Sequence, residues 1–165
     1  MEKSVLIIYA ERPYKKMFLY ICLMFAIVLA DQLLKFFVQQ NIPLNVSYEV
    51  IPGVFSIGHI RNFGAAWSIG SGQRWLFILI SLIALGFFCY YFKKTYHNWG
   101  YGLGFSLLIG GTLGNLTDRL FSGYVVDMFE LDFIDFPIFN LADCALTLGV
   151  IILLVTIIKD DKDLF

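Results

Sequence analysis

Charge is what this chain has least of. Only 15% of its 165 residues are Asp, Glu, Lys or Arg, against 59% hydrophobic and 18% aromatic. A soluble domain carries about 25% charged and about 45–50% apolar residues, so the composition points to an integral membrane protein, organised as one domain over 1–165. The formal net charge of −1 excludes a strongly basic surface, and no nucleic-acid partner is expected. Histidine is scarce too: His59 and His97 stand alone, and no HExxH is present. The three cysteines, Cys22, Cys89 and Cys144, are scattered and odd in number, which fits neither a metal motif nor a disulfide framework. There is no GxSxG, and Ser122 has no base beside it in the sequence. These gaps count against the metal-hydrolase and serine-hydrolase plans. Internal repeats and low-complexity segments are absent as well.

Long apolar runs are what the chain does have. They cover about 17–38, 75–92, 101–120 and 139–158. Each approaches the ~20 residues that cross a ~30 Å hydrocarbon core at ~1.5 Å per residue. Val28-Leu29-Ala30 resembles a signal-peptide cleavage site, but Leu33-Leu34-Lys35-Phe36-Phe37-Val38 carries the apolar run past it. Four transmembrane helices are therefore expected. Lys3, Arg12, Lys15, Lys16, Lys93, Lys94, Lys159 and Lys162 lie before the first run, between the second and third, and after the fourth. By the positive-inside rule both termini are cytoplasmic, and the 39–74 and 121–138 loops face outside. Four spans suffice for a monomeric bundle. In the first of these loops, the 46–61 stretch has short β-branched alternation broken by Pro52-Gly53, which predicts two or three strands at the membrane surface.

Polar residues gather at the outer ends of these runs. Charged and amide groups are costly at a span edge. Asp31 and Lys35 share a helix face; they form a self-neutralising pair with Lys35 snorkelling outward, or a brace for an outer site. Gly110 and Gly114 make a GxxxG pair suited to close helix packing. Asn115, Asp118 and Arg119 fall on one face, with Arg119 and Asp118 as a possible ion pair. Asp127 follows Gly123, and Asn140, Asp143 and Thr147 form a stripe on the last run. Glu130, Asp132 and Asp135 read as a solvated face. If Asp127 and Asp143 converge, repulsion and low dielectric make them share one proton. One carboxylate then activates water while the other donates to a carbonyl. Spacing alone leaves a small transporter and a non-enzymatic scaffold open. A transport pathway needs polar residues through the full depth, and here they sit on one side.

In order, these residues form five blocks: Asp31-Gln32-x-x-Lys35, Asn62-x-Gly64-Ala65-Ala66, Gly114-Asn115-x-x-Asp118-Arg119, Tyr124-Val125-Val126-Asp127 and Phe139-Asn140-x-Ala142-Asp143. With four runs around them, the chain resembles the lipoprotein signal peptidase (signal peptidase II) family from Met17 to Ile158. The resemblance implies a cofactor-free aspartyl endopeptidase of the bacterial cytoplasmic membrane. Its substrate is a prolipoprotein, cut just before a cysteine bearing a diacylglyceryl group. It implies Asp127 and Asp143 as the catalytic aspartates. It implies Asn62, Gly64, Asn115, Arg119 and Asn140 as residues that hold the substrate and the pair, with Asp31, Lys35 and Asp118 as structural support. The implied fold is an all-α membrane bundle of four helices with a small extracytoplasmic β-sheet cradle, in contact with membrane lipids. Trp67, where Phe is expected, and Phe63 are expected to clamp substrate from above.

Overall fold

The structure, a computed structural model, describes residues 2–162, with side chains over 14–160 apart from residue 68. Both extreme ends of the expected 1–165 domain lie outside the described residues. So do the side chains of Lys3, Arg12 and Lys162, on which the predicted orientation partly rests. The elements run α1 (Glu2–Asn41), β1 (Ser47–Ile51), β2 (Phe55–Asn62), α2 (Arg74–Thr95), α3 (Trp99–Phe121), β3 (Val125–Leu131) and α4 (Leu141–Lys162). α1 continues without a break through residues 28–30, where the sequence resembles a cleavage site.

Among the described residues, three helical stretches are long and apolar enough to cross a membrane: Tyr14–Asn41, Arg74–Thr95 and Leu141–Asp160. Four were expected. The third run does form a helix, the 23-residue α3, but glycine and polar residues dilute its apolar content. Packing explains the difference. α3 contacts α1, α2 and α4, and most of its residues from Gly100 to Asp118 are buried. A helix shielded by three neighbours needs small residues for close approach more than it needs greasy ones for lipid. A Cβ on Gly111 would lie 2.5 Å from the Ala142 carbonyl oxygen, and one on Gly104 would lie 2.7 Å from Leu153. The outer helices carry the lipid-facing side chains instead: Phe25, Phe36, Ile83, Phe87 and Leu154 are all more than half exposed.

The sheet has the order β1-β2-β3, with both pairings antiparallel. β1 and β2 fall where the 46–61 stretch predicted strands, but β3 comes from the other outer loop. β3 departs from clean alternation: Val125, Val126, Asp127 and Met128 are all buried. Val126 and Met128 pack against Val38 near the end of α1. The intervening Asp127 points to the opposite face of the strand. His59 Nδ1 donates to the Ile42 carbonyl at 2.9 Å, tying β2 to the end of α1. The sheet is thus seated on the end of the bundle where Asp31, Lys35, Asn115 and Asp118 lie.

Candidate active site

Three local devices bring Asp127 and Asp143 to one cavity. The first is the β2–β3 register. Ile57 pairs with Phe129 but Ile60 pairs with Asp127, so β2 carries one extra residue at a bulge. Bulges re-aim side chains. Here the bulge leaves Asn62, opposite Val125, as the diagonal neighbour of Asp127 on the same face. Asn62 Nδ2 donates to Asp127 Oδ2 at 2.9 Å.

The second device is the start of α4. Asp143 N donates to Asn140 Oδ1 at 3.0 Å, and Asn140 N donates back to Asp143 Oδ2 at 3.1 Å. This is a reciprocal capping box with Asp in the third position. It sets Asp143 in the first turn, where the helix dipole favours a negative charge. The side-chain amide of Asn140 then reaches the other carboxylate: Nδ2 donates to Asp127 Oδ1 at 2.7 Å, and also to the Asn115 amide oxygen Oδ1 at 3.1 Å. One fully buried asparagine therefore bonds both aspartates.

The third device is α3. Asn115 Nδ2 donates to Asp143 Oδ1 at 2.7 Å. Arg119, one turn on, sends one guanidinium nitrogen to the Gly64 carbonyl at 3.0 Å and another to the Asn115 carbonyl at 3.4 Å. Its charge also lies 5.2 Å from the Phe77 ring centre. Arg119 therefore holds the loop after β2 rather than pairing with Asp118. That loop is turned by Asn62, whose Oδ1 accepts from Gly64 N at 2.9 Å. It ends in a 3₁₀ turn over Ala66–Ser68, where Trp67 has φ 51° and is 63% exposed. A left-handed tryptophan is strained, and such strain clusters at functional loops. Its ring meets Phe136, a residue of the cavity lining, edge-on at 6.5 Å.

The cavity measures about 720 Å³. Asn62, Asn115, Arg119, Asp127 and Asp143 supply its polar lining, while Ile138, just before α4, and Leu146 and Leu148 on α4 add apolar lining. Asp127, on the strand, is only 3% exposed. Burial pushes its carboxyl up to about 6, opposed by the Asn62 amide and assisted by the Asp143 charge. A carboxyl with that pKa can hold or release a proton near neutrality, which is what acid–base chemistry on a carbonyl needs. Among the described residues no group of three or more His, Cys, Asp or Glu could hold a metal ion.

Asp31, Lys35 and Asp118 sit behind this site. Lys35 Nζ lies 2.8 Å from Asp31, 2.9 Å from Asp118 and 3.1 Å from Asn115 Oδ1, with 3% of its side chain exposed. It does not snorkel. Asp31 Oδ1 accepts from Ala142 N at 2.9 Å, at the start of α4, and Asp118 Oδ2 accepts from Val126 N at 3.2 Å, on β3. Two residues have no role in the sequence reading. Gln32 donates to Asp118 at 2.8 Å and to the Gly114 carbonyl at 3.2 Å. Arg74 caps α3 through the carbonyls of Arg119 at 2.7 Å and Leu120 at 2.8 Å. A lone arginine opening an apolar run was the available signal for the second. Asp132, read as part of a solvated face, accepts from buried Ser56 at 2.9 Å.

Comparison with known proteins agrees with this architecture. A family model described as signal peptidase (SPase) II matches residues 23–159. The lipoprotein signal peptidase of Lactiplantibacillus plantarum is 49% identical over 146 residues, covering 88% of this chain and 98% of its own. That of Lactobacillus gasseri is 43% identical over 150 residues, covering 90% and 97%. A solved bacterial membrane enzyme superposes with a TM-score of 0.81 at 38% identity, covering 87% of this chain and 90% of that one. On the family match and these relatives, the chain belongs to the signal peptidase II family.

Proposed function

We propose that this protein is a membrane aspartyl endopeptidase that removes the signal peptide from lipid-modified prolipoproteins, with Asp127 and Asp143 as its catalytic pair. Signal-peptide removal follows from the family. The assignment of the two aspartates rests on one observation above all: Asn140 donates to both, from its side chain to Asp127 and from its backbone to Asp143. Bonded through one residue and lining one cavity, the two titrate as a unit. In the reaction, one carboxylate takes a proton from water as the oxygen attacks the scissile carbonyl. The other, protonated, donates to the carbonyl oxygen. Collapse of the tetrahedral intermediate breaks the C–N bond. The leaving amine of the lipidated cysteine takes up a proton, and the signal peptide keeps the new carboxyl group.

The other site residues take roles that fit their positions. Asn62, Asn115 and Asn140 hold the carboxylates, and Arg119 and Gly64 shape the loop that receives the substrate backbone. The apolar lining that α4 gives the cavity suits the acyl chains of the diacylglyceryl group, which then need not leave the bilayer. α3 acts as the fourth span, screened from lipid by its three neighbours. Both termini are cytoplasmic and the site opens at the outer face of the bacterial cytoplasmic membrane, as the distribution of lysine and arginine supports. One chain contains every residue this mechanism uses, so the working unit is a monomer in membrane lipid.

The test is cleavage of a diacylglyceryl-modified prolipoprotein by purified protein in detergent or lipid. Wild type is compared with Asp127→Asn and Asp143→Asn. Both folded variants are expected to lose at least roughly 10³-fold in rate, as when one member of a catalytic unit is removed. Activity that survives one substitution would move that aspartate to a supporting role.

A further inference from the structure

The Lys35 ammonium makes three contacts, to Asp31, Asp118 and Asn115, and almost none of it is open to solvent. Two of these are ion pairs that need no further purpose. The third reaches the amide that touches Asp143. We propose that Lys35 is a positioning residue for the reaction: it fixes which end of the Asn115 amide faces the catalytic pair. This rests on the reading of Asp127 and Asp143 given above and adds a role for a residue that never meets substrate.

An asparagine amide is nearly symmetric in shape, and its two ends differ only in hydrogen bonding. Lys35 has donors and no acceptor, so the end of Asn115 that faces it must be the oxygen. That leaves Nδ2 for Asp143. The oxygen also accepts from Asn140 Nδ2, which directs that amide at Asp127 and leaves Asn140 Oδ1 for the Asp143 N–H. With both aspartates ionised, the carboxylates alone would enforce this order. During turnover they cannot, because a proton moves onto and off the pair, and a protonated carboxyl can donate as well as accept. Lys35, like the Asp143 backbone N–H that holds Asn140 Oδ1, is a donor whose character does not change in the cycle. While it holds Asn115, all four carboxylate oxygens keep an N–H partner, from Asn62, Asn115, Asn140 Nδ2 and Asn140 N. The mobile proton is then confined to the lone pairs that face the cavity, where water and substrate are. The charged groups surrounding the pair are Asp31 and Lys35 on α1 and Asp118 and Arg119 on α3.

Lys35→Met alone would strand two buried carboxylates and risk unfolding. The test therefore uses Lys35→Met with Asp118→Asn, and separately Lys35→Met with Asp31→Asn. Each keeps the net charge of the cluster, and the new amide can bond the remaining carboxylate. In either folded variant kcat should fall at least roughly tenfold with KM within about threefold, the pattern of an interaction felt in the transition state. Adding Asn115→Ala should then cost little more, because Lys35 acts through Asn115 and the two losses should not add. Wild-type kcat in a folded variant, or losses that add, would overturn the proposal. A change confined to KM would also overturn it. Inactive but folded wild type would instead sink the protease reading itself, so the two failures are distinguishable.

Discussion

Replacing Asn62 with Ala should move the alkaline limb of the pH–rate profile upward. Asn62 Nδ2 donates to Asp127 at 2.9 Å and favours the ionised form. It opposes the desolvation that already pushes Asp127 up to about 6. A hydrogen bond to a charged acceptor is worth about 1.5–3 kcal/mol net, and one pKa unit corresponds to about 1.4 kcal/mol. Water entering the vacated space returns part of the loss, which leaves an upward shift on the order of one unit in the upper pKa of the pair. The assay is kcat/KM for prolipoprotein cleavage across pH, whose limbs report the free enzyme's acid and base. The rate falls at high pH as the pair loses its last proton, so a higher upper pKa carries activity to higher pH. Asn62 also holds Gly64 N at 2.9 Å, and loss of that turn should lower the whole curve without moving its limbs. An alkaline limb that stays put, or moves to lower pH, in a folded and active Asn62→Ala enzyme would refute the assignment of Asp127 to the pair.

Three further outcomes follow from the same geometry. Asp127 has a folded pKa of about 6 against an ordinary 3.8, so between those values the folded chain binds the extra proton. This group's contribution to stability therefore falls as pH rises through that window, by up to about 3 kcal/mol. Thermal melts at pH 5 and pH 7.5 should accordingly show the wild type losing more stability than Asp127→Asn over that rise, and equal losses would contradict the buried, protonatable carboxyl. Gly111→Ala would set a methyl 2.5 Å from the Ala142 carbonyl oxygen. Prying α3 from α4 should cost about 1–3 kcal/mol, read as a lower melting temperature. Trp67→Ala should leave the melting temperature nearly unchanged, because the ring is 63% exposed, yet raise KM for the lipidated substrate; an unaltered KM would remove Trp67 from any part in holding substrate.

How much of this could be read from sequence depends on how local each feature is. The helical runs and the crowding of polar residues at their outer ends are local, and they stand out against apolar surroundings. The Asn140-x-x-Asp143 spacing also carries its capping box in plain view, since both bonds close within one turn. β3 was harder. Its burial on two faces erases the alternation that marks a half-buried strand, and its partner β2 lies more than sixty residues earlier. α3 is legible as a helix but not as a lipid-facing one. Its many glycines lower its hydropathy because its surroundings are other helices rather than lipid. Lys35 shows the limit of pairwise reasoning. The i, i+4 spacing to Asp31 is visible and real, but it gives no hint of Asp118 or Asn115, which are eighty or more residues away. The five sequence blocks meet because each contributes at least one polar side chain to a single hydrogen-bonded chain, running from Asp31, Lys35 and Asp118 through Asn115 and Asn140 to Asp127 and Asn62. In a low-dielectric setting a member left unpaired costs far more than it would in water. That dependence of each member on the next accounts for buried acids, amides and a lysine persisting together at the edge of an apolar bundle.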